Sequence, residues 1–255
     1  MILIGILAGI AAGLFGIGGG IIIVPALVYL MKFPLILANG TSLAALLLPV
    51  GIFAVIEYYK SNFVNIKIAS LIALGLLTGV IGGAQIAQKL STEYLQMAYG
   101  FFLLYVTFRF IDIKELVNKI TNKKTEKSSN DENYEIKKAH PFLIYIFGIL
   151  AGIMSGMFGI GGGLIIVPFL LTAMNFHPKM AIGTSLAALL LPVGLPGIFV
   201  YHKAGNLDFV YAGLVALGIL IGSVFGAKIS LSLPTKTIKK IYGIFVFLIA
   251  LDFIF

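Results

Sequence analysis

Two glycine-rich segments have the residue types and spacing best suited to bind a ligand. Residues 16–20 and 159–163 both read GIGGG. Because glycine costs about 1 kcal/mol per residue in a helix interior, four glycines in five positions predict a helix break. A helix that starts after each break would direct free N–H groups and about half a positive charge toward it, which is chemistry suited to a small anion. The candidate binding glycines are Gly16, Gly18, Gly19, Gly20, Gly159, Gly161, Gly162 and Gly163.

Four hydroxyl side chains recur in a second shared segment, GTSLAALLLPVG, which begins at residue 40 and again at residue 183. Thr41, Ser42, Thr184 and Ser185 are predicted to lie at the start of a helix, where Ser and Thr commonly cap. There they would add donors to the anion site. Ordinary capping at the membrane surface is the alternative. Since no charged residue is predicted at the centre, recognition by helix ends and hydroxyls is expected.

Four prolines occupy matching places in these segments and are predicted to break or gate helices. Pro25 and Pro168 follow the glycines, and Pro49 and Pro192 follow the GTS triplets by about two turns. Kinks that serve packing alone are the other interpretation. Their recurrence favours an element that moves or lines a cavity.

The composition of the chain predicts an all-α, polytopic membrane protein. Of 255 residues, 60% are hydrophobic and 11% are charged, whereas soluble domains carry about 25% charged residues. Several runs approach or exceed the roughly 20 apolar residues that a membrane span needs. They cover residues 1–31, 35–56, 68–88, 141–176, 181–201 and 209–227. The expected location is therefore the cell membrane.

Smaller features of the composition refine this expectation. No basic residue precedes the first apolar run, so we expect it to stay in the protein and not to be removed as a signal peptide. Tryptophan is absent, and tyrosines near predicted helix ends, among them Tyr58 and Tyr201, are expected to form the aromatic belts. The net charge of +8 is interpreted as a membrane-orientation signal, and no nucleic-acid partner is expected.

The chain contains an internal duplication with an offset of 143 residues. Residues 5–51 match residues 148–194 at 33 of 47 positions. The identities concentrate on the glycine-rich and GTS segments, which favours a shared site over packing alone. We therefore divide the chain into a first transmembrane repeat (1–112), a charged cytoplasmic linker (113–140) and a second transmembrane repeat (141–255).

The glycine breaks also predict the topology. Each long run is suited to two half-length helices that form a re-entrant hairpin, and a hairpin plus three crossings turns the second repeat upside down. This inverted arrangement places 15 of the 18 Lys and Arg residues on one side of the membrane, against 11 for eight simple crossings. The positive-inside rule then predicts both termini outside and the linker in the cytoplasm.

At these residues the chain resembles the sulfite exporter TauE/SafE family of membrane permeases. The resemblance is carried by GIGGGxxxVP at residues 16–25 and 159–168, together with GTSL at residues 40–43 and 183–186. It implies transport of sulfite, sulfoacetate, sulfonates or related anions. The family includes exporters and uptake systems, so the resemblance fixes neither the substrate nor the direction.

The leading hypothesis is a secondary transporter that works by alternating access around a midplane site at the two glycine tips. An anion channel and a permease for a non-sulfur organic anion are the alternatives. An enzyme is not expected, because HExxH, paired intramembrane carboxylates and a Ser with nearby His and Asp are missing. No cofactor or metal is expected. A coupling proton or other ion, and the oligomeric state, remain open.

Overall fold

The computed structural model describes residues 1–47, 51–98, 100–101, 139–234, 237–238 and 241, and these residues form helices and loops without a strand. The first half contains α1 (Ile2–Phe15), α2 (Gly20–Met31), α3 (Leu35–Ala45), α4 (Ile52–Lys60) and α5 (Ile66–Lys89). The second half contains α6 (Pro141–Phe158), α7 (Gly163–Thr172), α8 (Pro178–Leu190), α9 (Leu195–Lys203) and α10 (Phe209–Ser232). Residues 92–98 are also helical. The predicted all-α class is confirmed.

Several helices have the length and composition of membrane spans. Helices α5, α6 and α10 qualify individually, and α8 with α9 qualifies as a pair that is bent by 54°. Exposed side chains on α5 and α10 are large and apolar, including Leu74, Leu217 and Phe225. An apolar surface of this extent suits lipid better than water. The chain is therefore a multi-pass membrane protein.

The predicted breaks lie at the glycines. Helix α1 ends at Phe15 and α2 begins at Gly20, and α6 and α7 repeat this break. Gly16 ends α1 with a φ of 73°, the left-handed conformation that glycine adopts most easily. Pro25 and Pro168 lie inside α2 and α7, so the expectation that these prolines break a helix is wrong. Each is the sixth residue of its helix, in the helix interior, where it removes one backbone hydrogen bond without ending the helix.

The GTS triplets lie within helices and not at their starts, so this part of the prediction is wrong. Helix α3 begins at Leu35, after Pro34, and α8 begins at Pro178. Proline favours the start of a helix, and accordingly α3 begins just after Pro34 and α8 begins at Pro178. Helix α8 ends at Leu190, two residues before Pro192. Pro49 and nearly all of the linker lie outside the described residues.

The most extensive helix packing joins one half of the chain to the other: α1 packs along α10, and α6 packs along α5. In each of the two pairs, both helices have glycines at the contact. A Cβ on Gly5 would lie 2.9 Å from the Cα of Gly218, and a Cβ on Gly148 would lie 3.0 Å from the Cα of Gly75. The helices run parallel in each pair. In the pair of α1 and α10, for example, Gly5 lies beside Gly218 and Gly13 lies beside Gly226, so residue numbers rise together along the two helices. The two halves therefore interlock reciprocally, with backbones in direct contact.

This packing predicts that Gly222→Leu prevents folding, because a Cβ on Gly222 would overlap the carbonyl oxygen of Ile6. A backbone clash cannot be relieved by side-chain rotation, so the loss should exceed the roughly 1–3 kcal/mol of ordinary overpacking. The matched control is Gly213→Leu on the same helix, where a Cβ has no neighbour within 4 Å. Size-exclusion chromatography in detergent measures the monodisperse yield. Equal yields would show that α1 and α10 do not pack through their backbones.

Candidate functional site

The two glycine-rich tips meet in the folded chain. A Cβ on Gly20 would lie 2.6 Å from the carbonyl oxygen of Gly159, and a Cβ on Gly163 would lie 2.7 Å from the Cα of Ile17. Only glycine permits this approach. The structure thus brings together, from opposite halves, the two segments that the sequence predicts to share a site.

Serine hydroxyls from the GTS triplets secure each tip to the other half. Ser42 Oγ donates to the carbonyl oxygen of Gly159 at 2.7 Å, and Ser185 Oγ donates to that of Gly16 at 2.8 Å. Both serines are fully buried. These bonds satisfy carbonyl groups that the end of a helix leaves without an intrahelical partner.

Two buried tyrosines complete this arrangement within each half. Tyr58 Oη donates to the carbonyl oxygen of Gly13 at 2.9 Å, and Tyr201 Oη donates to that of Gly156 at 2.8 Å. Both side chains are completely inaccessible to solvent, so the expectation that they form aromatic belts is wrong. The signal for this role was present in the sequence, because the two tyrosines recur at the repeat offset of 143 residues.

The threonines of the triplets make a different contact. Thr184 Oγ1 accepts a hydrogen bond from the backbone N–H of Asn65 at 3.0 Å, and Thr41 Oγ1 accepts one from Asp208 at 3.1 Å. Asn65 and Asp208 are the N-caps of α5 and α10. Each threonine therefore joins its own half to the start of a long helix in the other half. A direct role of Thr41, Ser42, Thr184 and Ser185 in substrate binding stays a prediction.

The N–H groups at the tips contrast with these satisfied carbonyls. The N–H groups of residues 17–21 and 160–164 have no hydrogen-bond acceptor within the part of the chain that the structure describes, and all ten residues are buried. Gly19 and Gly162 are the N-caps of α2 and α7, and neither can supply a capping side chain. Buried N–H groups without a partner are rare in proteins. Two runs of five mark a place where an external acceptor fits.

A cavity lies beside the tips, with Gly18 and Gly161 in its wall. The space available to the centres of water-sized molecules is about 30 Å³, which is room for about two waters. Most of its described lining residues are equivalent pairs from the two halves: Gly18 with Gly161, Leu43 with Leu186, Leu46 with Leu189, Gly51 with Gly194, and Ala12 with Ser155. No lysine or arginine occurs among the described lining residues.

The sequence prediction includes Gly18 and Gly161 of this cavity but misses Gly51, Gly194, the leucines and Ser155. Of the other predicted glycines, Gly20 and Gly163 pack the tips together, whereas Gly16 packs against Ile182 and Gly159 against Asn39. Leu46 and Leu189 flank the tips, since a Cβ on Gly161 would lie 3.0 Å from Leu46 Cδ1. The sequence did contain a signal for this role, because leucine occupies this position in both repeats.

Fold and site together define a helical multi-pass membrane protein with a central cavity between two homologous halves. The family model described as "Sulfite exporter TauE/SafE" matches residues 1–253. The chain belongs to this family.

Relatives support the membership. The chain is 27% identical to the probable membrane transporter protein YunE of Bacillus subtilis, over 100% of this chain and 96% of the relative. It is 31% identical to a probable membrane transporter protein of Haemophilus influenzae, over 98% of this chain and 96% of the relative. It is 27% identical to the probable membrane transporter protein MJ0441 of Methanocaldococcus jannaschii, over 94% and 88%. No solved structure gives a significant match.

The threonine contacts predict that Thr184→Val lowers stability. Valine keeps the shape but removes the acceptor for the partly buried N–H of Asn65, and an unsatisfied donor costs up to about 1–3 kcal/mol when it is shielded from water. The control is Thr172→Val, because Thr172 is exposed and bonds only to the carbonyl of Pro168 in its own helix. Thermal unfolding in detergent measures both. Equal midpoints for the two variants would contradict the joining role of Thr184.

Proposed function

We propose that this protein is a secondary transporter of small sulfur-containing anions, such as sulfite, sulfoacetate, sulfonates or related compounds. The substrate binds between the two glycine tips. The observation that carries the proposal is the set of ten buried N–H groups at residues 17–21 and 160–164 that have no acceptor among the described residues. Family membership supports the substrate class.

The electrostatics of the tips favour an anion. The N-terminal ends of α2 and α7 each carry about half a positive charge, and no capping side chain offsets either end. The opposing C-terminal ends of α1 and α6 carry negative partial charge, but Tyr58 and Tyr201 donate to their carbonyls. The groups at the tips whose partial charge is not offset include N–H donors, and an oxyanion requires such donors.

The size of the cavity favours a compact substrate. Space of about 30 Å³ for the centres of water-sized molecules suits an anion of a few heavy atoms better than a bulky organic acid. The leucines around the tips lower the local dielectric, which strengthens each N–H interaction with a charge.

Alternating access is supported by an inverted arrangement of the halves. Gln88, next to the end of α5, accepts a hydrogen bond from Asn206, just before α10. At the other end, Lys179 on α8 donates to the carbonyl of Leu231 near the end of α10, and Thr184 on α8 contacts the start of α5. The equivalent helices α5 and α10 therefore run in opposite directions. Inverted repeats around a midplane site are a common basis of alternating access.

The basic residues agree with this orientation. Lys89 and Lys203 lie near the contact between Gln88 and Asn206, whereas Lys60, Lys67 and Lys179 lie near the opposite ends of α5 and α10. We assign the lysine-rich end to the cytoplasm by the positive-inside rule. Both termini are then outside, the 113–140 linker is cytoplasmic, and each glycine break forms a re-entrant hairpin.

The bend between α8 and α9 is the proposed gating element. The two helices differ in direction by 54°, and Pro192 and Gly194 lie between them. Gly194 and its equivalent, Gly51, both line the cavity. A change of angle at this joint would therefore open or close one side of the site.

The central experiment is flux into proteoliposomes that contain the purified protein. Labelled sulfite, thiosulfate, sulfate, sulfoacetate and taurine are compared. Saturable uptake of one or more sulfur anions, stimulated by the same anion inside, is the expected result for a carrier. Non-saturable flux would indicate a channel, and no flux of any sulfur anion would refute the proposal.

A second prediction concerns the tips. Gly18→Ala and Gly161→Ala should each abolish most sulfite flux, because a methyl group would enter the cavity, 3.1 Å from Leu189 Cδ1 in the case of Gly18. Gly205→Ala is the matched control. Gly205 has a similar φ, 72° against 79° for Gly18, but no neighbour within 4 Å. It therefore reproduces the roughly 1–2 kcal/mol of backbone strain without blocking the site. Equal loss of flux in the control would show that strain is the cause.

The orientation is tested at two equivalent loop positions, residues 62 and 205, which differ by the repeat offset and are both exposed. Cysteine is absent from the chain, so Asn62→Cys and Gly205→Cys each give one labelling site. An impermeant maleimide applied to intact cells should label position 205 and not position 62. Labelling of both positions from the same side would indicate a parallel repeat.

A further inference from the structure

One polar side chain in the cavity wall has no assigned role. Ser155 lies on α6, lines the cavity and is only 2% exposed. Its hydroxyl makes no hydrogen bond within the part of the chain that the structure describes. A hydroxyl in a cavity wall can donate to a group inside the cavity, so an acceptor from outside the protein suits this position.

Several other helical hydroxyls take a partner within their own helix, although Ser230 on α10 is buried without one in the described part of the chain. Thr78 donates to the carbonyl of Gly75, Thr172 to that of Pro168 and Ser232 to that of Ile229, each at 2.8 Å. Such bonds to a preceding carbonyl are the usual solution for Ser and Thr within helices. Ser155 does not use it, although its helix continues on both sides.

Ser155 also lies close to the glycine tip. Its carbonyl oxygen accepts the N–H of Gly159 at 2.9 Å, and a Cβ on Gly162 would lie 3.6 Å from the Cβ of Ser155. The Ser155 side chain is therefore next to the N–H groups of residues 160–164, which have no acceptor in the described part of the chain. Two independent donor types meet on the same side of the cavity.

This donor is present in one half only. The equivalent residue in the first half is Ala12, which also lines the cavity. In the four other lining pairs the two residues are identical, so the exchange of alanine for serine gives this pair alone a different hydrogen-bonding capacity in the two halves.

We propose that Ser155 is a specificity-determining residue, whose hydroxyl donates a hydrogen bond to one oxygen of the bound oxyanion. This inference rests on the proposed function, since it takes the cavity to be the substrate site. A directional hydroxyl favours ligands with an oxygen acceptor over a spherical anion such as chloride. It also fixes the substrate on the side of the second half.

The test compares Ser155→Ala with the wild type in proteoliposomes, using sulfite and thiosulfate as substrates. The concentration for half-maximal uptake should rise about 10- to 100-fold, the range for losing a hydrogen bond to a charged group. Inhibition of uptake by excess chloride should become relatively stronger. Alanine is expected to fit, because Ala12 occupies the equivalent position, and a thermal unfolding midpoint within a few degrees of the wild type checks this.

The double variant Ser155→Ala with Ala12→Ser moves the hydroxyl to the equivalent place in the first half. It should recover at least part of the lost affinity, which a role in packing would not produce. Unchanged half-saturation in Ser155→Ala, or a loss without recovery in the double variant, would overturn the proposal for Ser155 while leaving the transport function intact. Absence of saturable flux in the wild type would instead remove the proposed function and this inference with it.

Discussion

The need of buried backbone groups for hydrogen-bond partners is the constraint on which this structure depends. A helix break inside an apolar protein exposes N–H and C=O groups where no bulk water can satisfy them. Here the breaks at Gly16–Gly19 and Gly159–Gly162 are accommodated by specific partners: Ser185 and Ser42 donate to glycine carbonyls across the halves, and Tyr58 and Tyr201 donate to the ends of α1 and α6. Each of these four hydroxyls donates to a carbonyl oxygen. The N–H groups of residues 17–21 and 160–164 have no acceptor in the described part of the chain, and the proposed ligand would supply one.

The same contacts make the two halves interdependent. A serine of the other half donates a hydrogen bond to each glycine tip. A threonine of the other half accepts a hydrogen bond from the N-cap residue of each long helix. The parallel packing of α1 with α10 and of α6 with α5 adds glycine contacts that leave little space between backbones. The cavity therefore exists only where the halves meet. Any motion that exposes it to one side must either carry the α1–α10 and α5–α6 pairs as units or act at the joints that lie outside them, such as the bend between α8 and α9.

Those parts of the fold that follow from local chemistry were predictable from the sequence. The break at GIGGG follows from the helix propensity of glycine, and the meeting of the two tips follows from the duplication together with the need to shield open backbone. The parts that depend on distant partners were not predictable. Thr41 and Ser42 resemble capping residues, but Pro34 starts α3 earlier, and the hydroxyls bond to residues more than 100 positions away. Tyr58 resembles an interfacial residue until its partner, Gly13, is known. Ser155 is one serine in an apolar helix, and only the cavity distinguishes it.

A site built from neutral donors has a consequence for a carrier that a fixed charge would not have. A carrier must change conformation with the site empty as well as occupied, and an unpaired lysine at membrane depth costs about 2.5–3.5 kcal/mol or more. N–H groups at helix ends and one hydroxyl at Ser155 carry only partial charges, so the empty cavity is much less unfavourable. Their effect on an anion bound at the proposed site would nevertheless be large in total, because the surrounding leucines keep the dielectric low. The absence of lysine and arginine among the described lining residues is thus consistent with an anion that is bound firmly enough to be selected and weakly enough to be released.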